Sequence, residues 1–181
     1  MFSNLKRIIC NLDLYISLFL AELTDNLLAA QAFIFFLAGF ETSSTTMSFA
    51  LYELALNPDV QDKLAEEIRK YTSENGDKLT YDLLQEMKYL DMVVSETLRK
   101  YPPVGNLFRQ CTKPYTIPGT NVLIEAETRV FIPIYAIHRD PKYYPNPEKF
   151  DPERFTPEEK AKRHPMIYMP FGEGPRNCIG R

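Results

Sequence analysis

The stretch from Pro170 to Arg181, PFGEGPRNCIGR, sets one cysteine among three glycines, an aromatic ring and an arginine. A thiolate is a soft ligand that suits iron, and its pKa falls where backbone N–H groups and a cation surround it, as a glycine-rich turn carrying Arg176 would arrange. Gly172, Gly174 and Gly180 let the backbone approach something flat or bulky and adopt angles closed to other residues. Cys178 therefore reads as a prepared metal ligand. Two other readings compete. A phosphate cradle lacks the lysine–serine end of a P-loop and does not open a nucleotide-binding unit. An inert, buried thiol is the plainer alternative.

Two more groups have spacings that could do chemistry. In AGFETSS, Ala38 and Thr42 are four apart and share one face of a helix. Taken alone, Thr42 reads as a hydroxyl bonded back to the carbonyl of residue 38. In ETLR, Glu96 and Arg99 are three apart, which by itself describes a solvent-facing pair worth ~0.2–0.5 kcal/mol.

The elements that must position these residues follow from composition and pattern. A chain of 181 residues with 45% apolar content fits one globular domain, and a net charge of -3 from 21 basic and 24 acidic residues gives no reason to expect nucleic acid. The cysteines are Cys10, Cys111 and Cys178, an odd count without a C-x-x-C pair, so reduced thiols are expected and Cys10 and Cys111 are incidental. Neither His138 nor His164 has a second ligand at zinc-site spacing. The N-terminal segment has Lys6 and Arg7 ahead of an apolar run, but Asn11 and Asp13 interrupt it and no cleavage site stands out. The other apolar block, Leu27 to Phe40, falls short of the ~20 residues that span a bilayer, and a core helix is expected there.

From Thr24, a plausible N-cap, no proline appears before Pro58, which predicts one long helix from Asp25 to Leu56, about 48 Å in length. Its first half is apolar on all sides and should be buried. Asn57 as cap and Pro58 at the first helical position start a second helix, with Val60, Leu64, Ile68 and Tyr71 on its inner stripe. After the TSENGDK loop, Thr80 caps a short helix. Another ends at Tyr101-Pro102, with Leu90, Val93, Val94 and Thr97 facing inward. PYTIPGTNVLI predicts two short strands around a Pro118-Gly119 turn, and TRVFIPIY a further strand. Four prolines from Pro145 to Pro157 predict irregular coil, packed through Tyr143, Tyr144, Phe150 and Phe155.

FGEGPRNCIG resembles the haem-binding loop of cytochrome P450, F-x-x-G-x-R-x-C-x-G, at every defined position. The resemblance implies Cys178 as the thiolate on iron of haem b, Arg176 as a propionate partner, Phe171 as packing beside the sulfur, and Gly174 and Gly180 as the glycines of the loop. AGFETSS resembles the family's oxygen-binding helix, which implies that Gly39 opens space beside the haem, Thr42 hydrogen-bonds oxygen and Glu41 helps relay protons. ETLR and DPERF resemble the segments that join Glu96, Arg99 and Arg154 in a buried triad. Such a triad would fix the coil that aims the cysteine loop. LFRQCTKPYTIPG resembles the strand carrying another propionate-binding arginine, Arg109. His138 in HRDP is expected to be a structural hydrogen-bonding residue.

The resemblance covers about Thr24 to Arg181 and is most like microsomal, insect detoxification P450s. It implies a mainly α fold with a small antiparallel β-sheet, the C-terminal portion of the P450 fold, incomplete at both ends. Residues 1–23 stay unassigned, and 24–181 form the partial P450 domain. The implied activity is a monooxygenase that inserts one oxygen atom from O2 into an apolar small molecule, with electrons from NADPH-cytochrome P450 reductase. It implies the cytoplasmic face of the endoplasmic reticulum membrane, although no convincing anchor is seen. The family's next helix should begin where the chain stops, so a truncated product or partial sequence is expected. The rival is a non-catalytic remnant that does not retain haem.

Overall fold

A computed structural model describes residues 24–74, 76 and 78–180. The signal-like segment, the unassigned residues 1–23 and Cys10 lie outside the described residues. The first helix, α1, runs Asp25–Leu56, 32 residues, as expected. Thr24 Oγ1 accepts the Leu27 N–H at 3.2 Å and Asp25 sits in the first turn, so two features favour this helix start. The chain divides into two units within α1, with the boundary between Glu41 and Thr42.

The expected burial of the first half of α1 is not observed. Phe33 and Phe36 are 63% and 68% exposed, and the buried residues of the helix are Glu53 and Leu54, in its last turns. An all-round apolar helix presents apolar surface on every side, and Phe33 and Phe36 lie on that surface. By length and composition α1 could also cross a membrane, a property that core helices share.

In the second unit, α2 spans Pro58–Glu74, α3 Tyr81–Glu86 and α4 Lys88–Lys100. The core gathers Leu54, Val60, Leu64, Tyr89, Val93 and Phe150. Each such side chain removed from water contributes about 1.5–3 kcal/mol. Thr80 caps α3 through the Leu83 N–H, as expected. Asn57 does not cap α2 with its side chain; its amide donates back to the Glu53 carbonyl and carboxylate at 2.8 and 3.2 Å. Of the expected inner residues of α4, Val93 and Thr97 are buried and Leu90 packs half-buried against the core, whereas Val94 is exposed; Tyr89, Glu96, Arg99 and Lys100 are buried as well. No side chain of its own caps α4. Glu67 of α2 accepts the Tyr89 and Leu90 N–H groups, both at 2.9 Å, placing an anion at the positive end of the helix.

Two antiparallel pairs replace the single small sheet. Strand β1 (Leu107–Gln110) pairs with β4 (Arg129–Ile132), and β2 (Tyr115–Thr116) with β3 (Leu123–Ile124), about the expected Pro118-Gly119 turn. In the register Leu107 faces Ile132 and Arg109 faces Val130, so the half-buried side of β1 presents Leu107 and Arg109 together. The strand expected over TRVFIPIY stops at Ile132. Pro133, which lacks an N–H to continue the ladder, instead precedes a short helix, α5 (Ile134–His138). The proline-rich segment is less irregular than expected. Pro152 opens a 3-10 turn, Pro152–Phe155, and Pro157 opens α6, Pro157–Ala161, where a missing N–H costs nothing. Tyr144, Phe150 and Phe155 are buried and Tyr143 half-buried, as the packing expectation required.

Candidate functional site

The base of the site is a buried ion pair. Arg99 Nε donates to Glu96 Oε2 at 2.6 Å and Nη2 to Oε1 at 2.9 Å, with both side chains fully buried. The Asp151 N–H reaches Oε1 at 3.0 Å, and Arg154 Nε lies 3.5 Å away as an ion pair without hydrogen-bond geometry. The three residues expected as a triad are thus together, and the surface reading of Glu96 and Arg99 fails. Burial pushes the Glu96 carboxyl up, while the Arg99 guanidinium, the Asp151 N–H and Arg154 oppose that rise. Because arginine keeps its charge, those donors stay aimed at an anion.

Both guanidinia also hold loop carbonyls. Arg99 donates to His138 O at 2.9 Å and Pro147 O at 2.7 Å, and Arg154 Nη2 to Asn146 O at 2.9 Å. Asn146 has φ 52°, a left-handed angle that asparagine tolerates. Its place between Pro145 and Pro147 was the one signal in the sequence for this turn. The Asp151 N–H and these carbonyls had no such signal, since any residue type could supply them.

His138 is the expected structural hydrogen-bonding residue. Fully buried, its Nε2 accepts the Met169 N–H at 3.1 Å. The ring stacks on Tyr168 with centroids 5.4 Å apart, and the Tyr168 hydroxyl donates to Ser95 O at 3.0 Å. Burial lowers the His138 pKa to about 4.

From Met169 the chain enters the cysteine loop. The Gly172 N–H donates to Met169 O at 3.1 Å, Asn177 N–H to Gly174 O at 3.1 Å, and Cys178 N–H to Phe171 O at 2.8 Å, closing the loop on itself. Gly172 and Gly174 take φ of 70° and 86°, angles that favour glycine at both; Gly180 has no positive φ, contrary to expectation. A Cβ on Gly172 would lie 3.6 Å from Leu107, which shows how close β1 runs beneath the loop. Arg109, two residues along the same face, reaches Glu173 O at 3.4 Å. Phe171 is half-buried.

Cys178 is a free and exposed thiol, so the buried, inert alternative is overturned. Arg176 is also exposed, and among the described residues it has no hydrogen bond or ion pair. No group of three or more His, Cys, Asp or Glu among the described residues could hold a metal ion by itself. An exposed thiol in a loop that carries Arg176 and is touched by Arg109 at Glu173 O fits a flat macrocycle with carboxylates.

Gly39, Glu41 and Thr42 lie within α1. Glu41 and Thr42 are exposed, and apart from its chain neighbours and the backbone of its own helix turn no atom lies within 4 Å of where a Cβ on Gly39 would stand. The Thr42 carbonyl accepts the Thr46 hydroxyl at 2.8 Å.

The family model described as "Cytochrome P450" matches residues 11–181. The chain is 62% identical over 153 residues to "Probable cytochrome P450 6a13" of Drosophila melanogaster, covering 84% of this chain and 31% of that protein. It is 54% identical over 159 residues to "Cytochrome P450 6B2" of Helicoverpa armigera, 88% of this chain and 32% of the relative. Against "Cytochrome P450 6l1" of Blattella germanica the identity is 52% over 161 residues, 89% and 32%. The chain thus spans about a third of the length of these relatives.

Proposed function

The chain belongs to the cytochrome P450 family, and on that premise we propose that it forms the C-terminal, haem-binding part of a haem-thiolate monooxygenase. The observation that carries this reading is the exposed Cys178 thiol in a loop closed by its own N–H on Phe171 O and turned at Gly172 and Gly174. Haem iron, when bound, supplies the redox chemistry for inserting one atom of O2, and thiolate ligation favouring O–O cleavage is a general property of this family.

The chain's own residues have distinct tasks. Cys178 Sγ ligates iron of haem b. The Arg109 and Arg176 guanidinia bind the propionates by their fork geometry. Phe171 packs beside the sulfur. The Gly174 and Gly180 backbones give the loop its close approach. On α1, Gly39 leaves room, Thr42 holds a proton at Oγ1 and Glu41 moves protons toward it. Glu96, Arg99 and Arg154 fix the coil that aims the loop.

The substrate is an apolar small molecule, the electrons come from NADPH through NADPH-cytochrome P450 reductase, and the protein works at the cytoplasmic face of the endoplasmic reticulum membrane. The likeness to insect P450s supports these three assignments. In the full-length context, Cys178→Ser should abolish the red-shifted band of the reduced carbon monoxide complex. Persistence of that band would remove Cys178 as the ligand. A second reading applies to the 181 residues by themselves: the exposed Phe33 and Phe36 of α1 favour a chain that neither retains haem nor turns over.

A further inference from the structure

His138 joins two parts of the site through two different groups. Its carbonyl accepts Arg99 Nη1 at 2.9 Å, which binds it to the ion pair, and its ring Nε2 accepts the Met169 N–H at 3.1 Å. Met169 O in turn accepts the Gly172 N–H at 3.1 Å, at the first left-handed glycine of the cysteine loop. The ring cannot swing to another acceptor geometry easily. Tyr168 stacks on it at an interplanar angle of 25°, Tyr144 meets it edge-on at 6.4 Å, and both His138 and Tyr144 are fully buried.

We propose that His138 is a positioning residue for the cysteine loop, its bare Nε2 accepting the Met169 N–H and so tying the start of the loop to the Glu96–Arg99 ion pair. This rests on the haem-thiolate reading of Cys178 and deepens it. The tautomer follows from the geometry: an acceptor Nε2 carries no proton, so the proton of the neutral ring is on Nδ1. The low pKa caused by burial agrees, because a protonated Nε2 would face the Met169 N–H donor to donor. Without the acceptor, the Met169 N–H would be a buried, unsatisfied donor beside the turn that Gly172 must make.

The test compares His138→Leu, which keeps bulk and loses the acceptor, with His138→Gln, which keeps a side-chain acceptor, in the haem-loaded full-length protein. Hydrogen exchange at the Met169 amide should accelerate roughly 10–100-fold in His138→Leu, the range expected for one unsatisfied buried donor. The red-shifted thiolate band should lose intensity alongside. His138→Gln should recover at least half of both effects. Unchanged Met169 protection in His138→Leu, or a folded His138→Gln that behaves like leucine, would overturn the proposal. Should His138→Leu not fold, nitrogen NMR of the native ferrous carbon monoxide protein decides it: a bare Nε2 coupled to the Met169 N–H is expected, and a protonated Nε2 sinks the idea. Cys178→Ser, run in parallel, tests the ligand itself. If that variant keeps the band, the haem-thiolate reading fails whatever His138 does.

Discussion

Replacing Arg99 by alanine should be the most damaging single change to the core of the site. The substitution removes hydrogen bonds of 2.6 and 2.9 Å from a fully buried Glu96 and leaves only the Asp151 N–H at 3.0 Å and Arg154 at 3.5 Å. It also strands the carbonyls of His138 and Pro147. Breaking a buried pair by removing one partner costs about 3–5 kcal/mol, a large share of the ~5–15 kcal/mol that holds a typical domain together. Arg154→Ala should cost less, about 1–3 kcal/mol, because its contact with Glu96 is longer and it holds one carbonyl rather than two. The loss in Arg99→Ala should also depend on pH. Burial already pushes Glu96 above its ordinary 4.5, and without Arg99 the folded state would bind its proton more tightly still. The folded state then holds more protons than the unfolded one. The variant should therefore fall further behind the native protein as pH rises from about 4.5 toward neutrality. Urea unfolding of both variants in the full-length protein, with haem content measured at each pH, gives the numbers. A loss below 1 kcal/mol for Arg99→Ala, or a greater loss for Arg154→Ala, would refute the claim that this pair anchors the coil.

Thr42→Ala in the full-length protein should leave haem content intact while NADPH consumption outruns product and peroxide rises, since a hydroxyl that holds a proton does not hold the cofactor; unchanged coupling counts against the role of Oγ1. His138 gives a second pH effect of opposite sign. Its pKa falls from 6.5 to about 4 through burial, so the unfolded chain binds the proton more readily. About 3 kcal/mol of stability should be present above pH 6.5 and lost as pH falls toward 4, read from urea midpoints whose fall across that window is largely removed in His138→Gln. The 181 residues expressed alone should associate through the exposed aromatic residues of α1, among them Phe33, Phe35 and Phe36. A monomer on size-exclusion chromatography with one haem bound would contradict this.

The long helix, its cap at Thr24, the hairpin at Gly119 and the cysteine loop were legible because each rests on local rules: capping chemistry, proline placement and glycine turns. The environment of those elements was not legible. Glu96 and Arg99 have the same spacing whether a pair faces water or the core. Their burial is decided by the turn at Pro152–Phe155 and by backbone groups some 50 residues away, such as the Asp151 N–H. The same limit explains α1. An apolar surface on every side fixes no single buried face, and the exposure of Phe36 is set by tertiary contacts that the pattern does not encode.

Cys178 is singled out by its immediate neighbours, whereas the contacts around its loop are long-range backbone contacts. His138 meets Met169 across 31 residues and Arg99 across 39, and its ring pairs with a backbone N–H that every residue but proline carries. A contact of that kind imposes no residue type on its partner, so no motif can record it. The histidine itself is the only trace that it leaves in the sequence. For that reason the residues that support the cysteine loop are found by following its backbone hydrogen bonds outward, from Cys178 to Phe171, from Gly172 to Met169, and from there to His138 and Arg99.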